Sequence, residues 1–319
     1  MDKYARMQRD LMLMEQNGKV SVPEPASAIV PDEKARLTFA VWGDPQIAYW
    51  SAFRSARFLA ACRDLANCAS PLDALILAGD ITETGDASEY RMTAQILNDV
   101  CPNAFRHFLC VSGNHDVRLR NYRKQLSVFN DFIRSVPGGI PAGETRHCHG
   151  VQIKGYRFLL MGSDRATFEG AYISAKQLDW LDEQLTLCDG KPAFVVNHQT
   201  LHDINGLPQT WLGKGKWRGS VGWESDKLRA VLEKHCNVIF ITGHLHYGVS
   251  AFTYEDHGAF KALSVPTVGV VNHGEETTDT QGYVLSVYDD HILARARIFG
   301  EGRYLDADRP NAEIVIPIE

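Results

Sequence analysis

The 319-residue sequence lacks several things whose absence narrows its function. It has no run of about 18 apolar residues, which excludes a membrane-spanning helix within it. The first residues hold only Leu11–Met14 as a continuous apolar stretch, too short for the core of a secretory signal, and no small-residue cleavage site follows. Its seven cysteines include no C-x-x-C pair and no regular spacing, so reduced thiols and a cytoplasmic setting are expected rather than a disulfide framework. Positive charge is not in excess: 33 Lys+Arg stand against 39 Asp+Glu, a net charge of −6, which argues against electrostatic binding of nucleic acid along the chain. Internal repeats and low-complexity tracts are also missing. With 45% hydrophobic residues the chain has enough apolar surface to fold, so wholesale disorder is excluded.

What is present is an alternation of apolar runs and helical patterns. Residues 1–36 read as an N-terminal arm, with a short amphipathic helix over 1–17 and a proline-containing connector, VPEPASAIVPDEK. A single domain is expected over 37–300. It begins with the buried strand LTFAVW, followed by a helix (about 52–69), the strand LDALIL, a helix (87–100) and the strand RHFLC. This order implies right-handed βαβ crossovers and a largely parallel sheet, an α/β class. VQIKGYRFLLMG reads as a hairpin turning at Lys154-Gly155. The strands AFVVNH and NVIFITGH follow, with a helix of about 224–235 between them. From 250 to 299 the pattern is all strand and suggests a second sheet made of hairpins. Residues 301–319 read as a tail on the surface.

Five of the apolar runs end in residues of metal-ligand type: Asp44-Pro45-Gln46, Gly79-Asp80, Gly113-Asn114-His115-Asp116, Asn197-His198 and Gly243-His244-Leu245-His246. Carboxyl ends of strands are where open α/β sheets bind ligands. Carboxylate, amide oxygen and imidazole together suit Mn, Fe or Zn. Seven such ligands fit two cations sharing one carboxylate, the pair that clamps attacking and leaving oxygens in displacement at phosphorus. Glycine beside Asp80, Asn114 and His244 permits tight turns and close backbone approach.

The ordered set D-x-[HQ], G-D-x-x-E, G-N-H-D, a lone H and G-H-x-H resembles the calcineurin-like metallophosphoesterases, from about Thr38 to His246. That resemblance implies a four-layer αββα sandwich with a dinuclear centre at the sheet edges. It makes Asp80 the bridging ligand. Asp44, Gln46 and His246 complete one metal site, and Asn114, His198 and His244 the other. His115 then contacts the phosphoryl group and protonates the leaving oxygen, and Glu83 pairs with it to orient the ring and raise its pKa. Asp116 is a second candidate for that orienting role. The family's activity is phosphoester hydrolysis by a metal-held hydroxide.

Two departures sharpen the expectation. Gln46 replaces the family's usual histidine; its neutral, hard amide oxygen tilts the site towards Mn or Mg over Fe or Zn. Asp-x-Gln also occurs in branches similar to Mn-dependent ADP-ribose/CDP-alcohol pyrophosphatases. Thr84 stands where phosphoprotein phosphatases carry a phosphate-binding arginine, which counts against that subclass. The expected function is therefore hydrolysis of a phosphodiester or nucleotide-type pyrophosphate, with two divalent metals and a phosphorylated small molecule or nucleotide as substrate. A phosphomonoesterase or protein phosphatase, and a catalytically silent scaffold of the same fold, stay open.

Residues 199–223 form a long connection directly after His198 and hold three of the six tryptophans. It reads either as a substrate cap, in which Trp211, Trp217 and Trp223 stack on a base or aromatic group while Lys214, Lys216 and Arg218 meet phosphate, or as a loop whose tryptophans pack on the body with its charges in solvent; its place directly after His198 favours the cap. His202 and His273 are candidates for the same pocket. Arg118, Arg120, Arg123 and Lys124 add positive charge that either steers phosphate or faces solvent. His147 and His149 form a turn or a small metal site.

Overall fold

The computed structural model describes residues 2–18, 27–119, 121–142, 148–214, 218–274 and 280–319. In chain order the elements are α1 (Lys3–Gln16), β1 (Leu37–Trp42), α2 (Ala52–Ala66), β2 (Leu72–Leu77), α3 (Ala87–Val100), β3 (Phe105–Cys110), α4 (Asn114–Val117) and α5 (Tyr122–Ser135). They continue with β4 (His149–Ile153), β5 (Tyr156–Leu160), α6 (Ala175–Thr186), β6 (Ala193–Val196), α7 (Ser225–Leu232), β7 (Val238–Thr242), β8 (Tyr254–Asp256) and β9 (Phe260–Ser264). The last four are β10 (Gln281–Val287), β11 (His291–Ile298), β12 (Arg303–Tyr304) and β13 (Glu313–Pro317).

Two mixed sheets result. The first runs β12-β11-β10-β1-β2-β3, with β13 also paired to β11; the second runs β4-β5-β6-β7-β9-β8. Within β1 the period-2 rule divides one fully buried strand between two cores. Leu37, Phe39 and Val41 face the other sheet, and Ala40 and Trp42 face the helices. Phe194 and Val196 do the same from β6, while Ala193 and Val195 pack under α6 and α7. Phe39 stands edge-on to Phe158 and Phe194 across the sheet–sheet interface, at 5.2 and 4.9 Å between ring centroids. Helices α1, α2, α3 and α5 cover the outer face of the first sheet and α6 and α7 that of the second, so the layers are αββα.

The amphipathic helix expected at the N-terminus is α1. Met7 and Leu11 are buried in the core shared with α2 and α3, and Lys3 pairs with Asp86 at 2.9 Å. Two expectations need correction. The strands after 250 do not form a hairpin sheet of their own. β9 lies parallel to β7 in the second sheet, with β8 on its far side, whereas β10 crosses back to pair antiparallel with β1 in the first, and β11 pairs with β10. Apolar periodicity marks a strand but carries no information on its partner. Residues 313–317 are not a loose tail: β13 pairs antiparallel with β11, and its alternation buries Ile314 and Ile316 in the central core.

One buried ion pair ties the start of the body to its end. Arg297 Nε and Nη2 each donate to the Asp64 carboxylate at 2.7 Å, and Nη2 also donates to Ser27 O at 2.6 Å. Both side chains are at most 1% exposed. Asp64→Ala leaves the guanidinium buried without its counter-ion, so a loss of about 3–5 kcal/mol in unfolding free energy is expected from denaturant titration. A change under ~1 kcal/mol would mean that water replaces the carboxylate.

Candidate metal centre and its surroundings

The five motif segments leave β1, β2, β3, β6 and β7 at their carboxyl ends, three from one sheet and two from the other. They converge where the two sheets meet. Two groups of ligand atoms form there, each within 4.8 Å: Asp80, His198 and His244 in one, Asp44, Asp80 and His246 in the other. Asp80 is common to both. The cluster is a dinuclear metal-binding centre of aspartate and histidine.

The backbone is forced into shape to make it. Asp44, Gln46, Asp80, His244 and His246 have φ of 50°, 41°, 47°, 70° and 49°, a region that costs about 1–3 kcal/mol for residues with a side chain. Two neighbouring glycines leave no room for a side chain. A Cβ on Gly113 would sit 2.0 Å from Asp80 Oδ1, and one on Gly243 2.7 Å from Asp44 Oδ2.

The polar contacts suit cations. Asp44 Oδ2 accepts from His244 N at 3.0 Å, and Oδ1 lies 3.1 Å from His246 Nε2. Asp80 Oδ1 accepts from His115 N at 2.8 Å, and Oδ2 lies 3.1 Å from His198 Nε2. His198 Nδ1 donates to Ala78 O at 2.8 Å, which orients the ring with Nε2 facing the cluster. Asp80 Oδ2, Asn114 Oδ1 and His244 Nε2 are buried without a hydrogen-bond partner among the described residues. Orphaned acceptors and lone pairs of this kind are costly unless a cation meets them. Burial works against charge on His198, yet Asp80 and Asp44 push its pKa up to about 9, while burial and the His198 charge hold His244 well below the ordinary range. Burial opposes ionisation of Asp80 too, but His198 and His115 hold its carboxyl far below the usual value. The centre of the cluster thus favours positive charge.

His115 lies beside the cluster, with Nε2 3.9 Å from Asp80 Oδ2. Its Nδ1 meets Glu83 Oε1 at 3.1 Å and Glu83 O at 3.0 Å, with Arg118 Nη2 at 2.8 Å. Burial lowers the imidazole pKa, but Asp80 and Glu83 more than compensate and the net shift is upward. Arg54 anchors Glu83 from the other side and donates to Gln46 O at 3.0 Å. Asp116 does not share this work. It accepts from the backbone of Ile81, Thr82 and Gly113 and from the Thr82 and Tyr90 hydroxyls, so it fastens the Asp80 loop to the Asn114 loop. Thr84 is held by Glu89 through N and Oγ1 at 3.0 and 2.8 Å.

The cap residues divide. Trp211 stacks on the ligand-type His244, 4.6 Å between centroids, and Gly219 closes on the indole; a Cβ there would lie 2.8 Å from Trp211 Cγ. Its faces are therefore taken by the protein, not held open for a base. His273 lies against the centre, its ring 6.5 Å from that of His246, and Nε2 donates to Thr210 O at 3.2 Å, tying the cap to the β9–β10 connection. His202 turns elsewhere, with Nε2 3.1 Å from Asp226. The four-residue step from His198 would share a face only on a helix, and this segment is not helical. Lys214 and Arg218 are exposed, while Lys216, Trp217, Arg120 and His147 lie outside the described residues. His149 Nε2 donates to Ile140 O at 2.9 Å.

Sequence reasoning missed Arg54 and the 162–173 segment, and left Arg118 undecided between site and solvent. Arg118 is only 16% exposed in its side chain and covers the Phe168 ring at 5.2 Å, and Phe168 O accepts from Asn114 Nδ2 at 3.1 Å. No motif marks these, because they reach the site through tertiary packing.

Comparison with known proteins agrees with this architecture. A zebrafish (Danio rerio) dimetal phosphatase shares the fold at TM-score 0.59 and 17% identity, covering 89% of this chain and all (100%) of that one. A purple acid phosphatase of yellow lupin does so at 0.59 and 15%, covering 92% of this chain and 55% of that one. In sequence, a 3′,5′-cyclic-nucleotide phosphodiesterase of Nostoc sp. is 24% identical over 190 residues, 59% of this chain and 61% of the relative. A glycerophosphodiester phosphodiesterase of Enterobacter lignolyticus is 23% identical over 176 residues, 54% and 56% of the two chains. The match thus spans about three-fifths of these relatives' own length. The profile of the calcineurin-like phosphoesterases matches residues 37–248, from the first strand through the last histidine of the cluster, and the chain belongs to that family.

Proposed function

We propose that this chain is a metal-dependent hydrolase of phosphodiesters or nucleotide-type pyrophosphates. The observation that carries it is the sharing of Asp80 between two buried Asp/His groups, with His115 at their edge. Two divalent cations would be held by Asp44, Gln46 and His246 on one side and by Asn114, His198 and His244 on the other, with Asp80 between. When bound, such a pair supplies Lewis acidity and lowers the pKa of water. The chain's own residues do the rest. His115 presents Nε2 towards the cluster and donates a proton to the departing oxygen. Glu83 holds the ring by Nδ1 and favours its protonated form, with Arg54 holding Glu83 in turn. Trp211 and the loop around it wall off the His244 side from water.

Diester preference is supported by Thr84, whose hydroxyl is committed to Glu89 where protein phosphatases carry arginine, and by relatives named as phosphodiesterases. The amide oxygen of Gln46 favours Mn as the metal at its site. That none of the seven cysteines is in a disulfide favours a reducing compartment such as the cytoplasm.

The test is metal analysis followed by a substrate panel after chelation and Mn reloading. Metal-dependent turnover of bis-nitrophenyl phosphate or a nucleotide pyrophosphate, well above that of nitrophenyl phosphate, is expected. Turnover of the monoester alone would overturn the diester reading, and a protein that retains no Mn would point to a silent scaffold.

A further inference from the structure

Large apolar side chains in solvent are ordinary when scattered and informative when they gather. Four of them stand on loops that touch the metal cluster from three directions. Phe168, 69% exposed, and Leu119, 55% exposed, flank the His115 side; Leu212, 69% exposed, follows the Trp211 that covers His244; Val271, 56% exposed, precedes the segment against His246. Each loop turns its polar groups inward. Phe168 O receives Asn114 Nδ2, Trp211 stacks on His244, and His273 N donates to His246 O at 2.8 Å. The outward positions include these four apolar side chains. Arg118 packs over the Phe168 ring and is largely buried, with its Nη2 3.6 Å from Glu83 Oε1. A cluster suited to an anionic phosphoryl group, with exposed apolar side chains on the loops against it, is complementary to a phosphodiester carrying a hydrophobic arm. Glycerol or another wholly polar ester arm would leave those side chains facing hydroxyl groups and gain nothing from them.

We infer that these side chains form a rim that is a subsite for a hydrophobic ester arm, so that the favoured substrates are amphipathic phosphodiesters with an alkyl or acyl arm. The inference rests on the phosphodiesterase reading for its phosphoryl site, while the rim itself is a matter of binding.

The experiment uses the full, Mn-loaded chain and a series of alkyl nitrophenyl phosphodiesters from methyl to hexyl. The leaving group is constant, so chain length reports on arm binding. Full burial of a methylene is worth a factor of about four, and an open rim about half that free energy, so roughly two-fold per methylene and ~30-fold in kcat/KM over the series is expected. In a Phe168→Ser, Leu212→Ser double variant the hexyl-to-methyl ratio should fall below about five-fold. Both side chains are exposed, so the fold is expected to survive, and circular dichroism checks it. A flat series overturns the subsite. Calorimetric binding of methyl and hexyl methyl phosphate, which are not activated for cleavage, separates the two readings. Tighter binding of the hexyl ester supports the rim even where no diester is hydrolysed, an outcome that would sink only the phosphodiesterase reading; equal affinities overturn the rim. Retention on phosphatidylcholine vesicles together with a flat series would assign the apolar groups to a membrane surface and likewise overturn the inference.

Discussion

Asp80→Asn is expected to leave the chain folded and to cut tightly bound Mn from two equivalents to at most one, with diester hydrolysis falling by at least ~10³-fold. That is beyond the 10–100-fold typical of changes outside the ligand sphere. The fold should hold because asparagine tolerates the φ of 47° that Asp80 adopts, and because its amide oxygen can keep the bond from His115 N, 2.8 Å in the parent. That orientation places the new NH2 where Oδ2 was, 3.1 Å from His198 Nε2. The amide then donates to the lone pair on His198, so one substitution removes the shared carboxylate and occupies a second ligand. Asp44→Asn is the control. Asp44 belongs to one group only, and asparagine again suits its φ of 50°, so one equivalent is expected to stay tightly bound. Metal analysis after gel filtration reads both variants. Two tightly held equivalents in Asp80→Asn would contradict the bridging role.

The parts of the site legible in the sequence were those that local order dictates. An apolar run that ends in Gly-Asp or Gly-His puts the polar residue at a strand's carboxyl end whatever the rest of the fold does. Five such runs in a sheet-forming chain bring Asp44, Asp80, Asn114, His198 and His244 to one edge. The hairpin at Lys154-Gly155 and helix α3 were legible for the same reason, since turn chemistry and periodicity are local. Partnership between distant strands was not. β10 reads as a strand just as β9 does, yet it pairs with β1 some 240 positions earlier while β9 pairs with β7, and nothing in a strand's own residues names its neighbour. Side-chain direction was equally hidden. Asp116 follows His115 directly and Glu83 lies 32 positions before it, yet Asp116 turns inward to five donors and Glu83 reaches the ring. Trp211 read equally as a platform for a base or as packing on the body, because composition reports a tryptophan near the site and not which surface covers its faces.

His115→Ala separates proton transfer from metal binding. His115 belongs to neither ligand group, and its backbone N, which the substitution keeps, is what holds Asp80 Oδ1. Two equivalents of metal should therefore remain. Hydrolysis should fall by at least ~10²-fold, the low end for loss of a general acid. The ring is built for that task. Glu83 at 3.1 Å holds Nδ1, the Asp80 and Glu83 charges raise its pKa against the pull of burial, and Nε2 is left on the side of the cluster. A general acid matters most when the departing oxygen is basic. The loss should be smallest for bis-nitrophenyl phosphate, whose nitrophenolate leaves readily unprotonated, and at least ~10-fold larger for a diester with an alkoxide leaving group. Glu83→Gln, which keeps the shape but not the charge behind the ring, should show the same dependence on leaving group with a smaller loss. Equal losses across leaving groups, with metal intact, would move His115 from proton donor to phosphoryl binder. A rate close to the parent's on the poor leaving group would remove it from the mechanism.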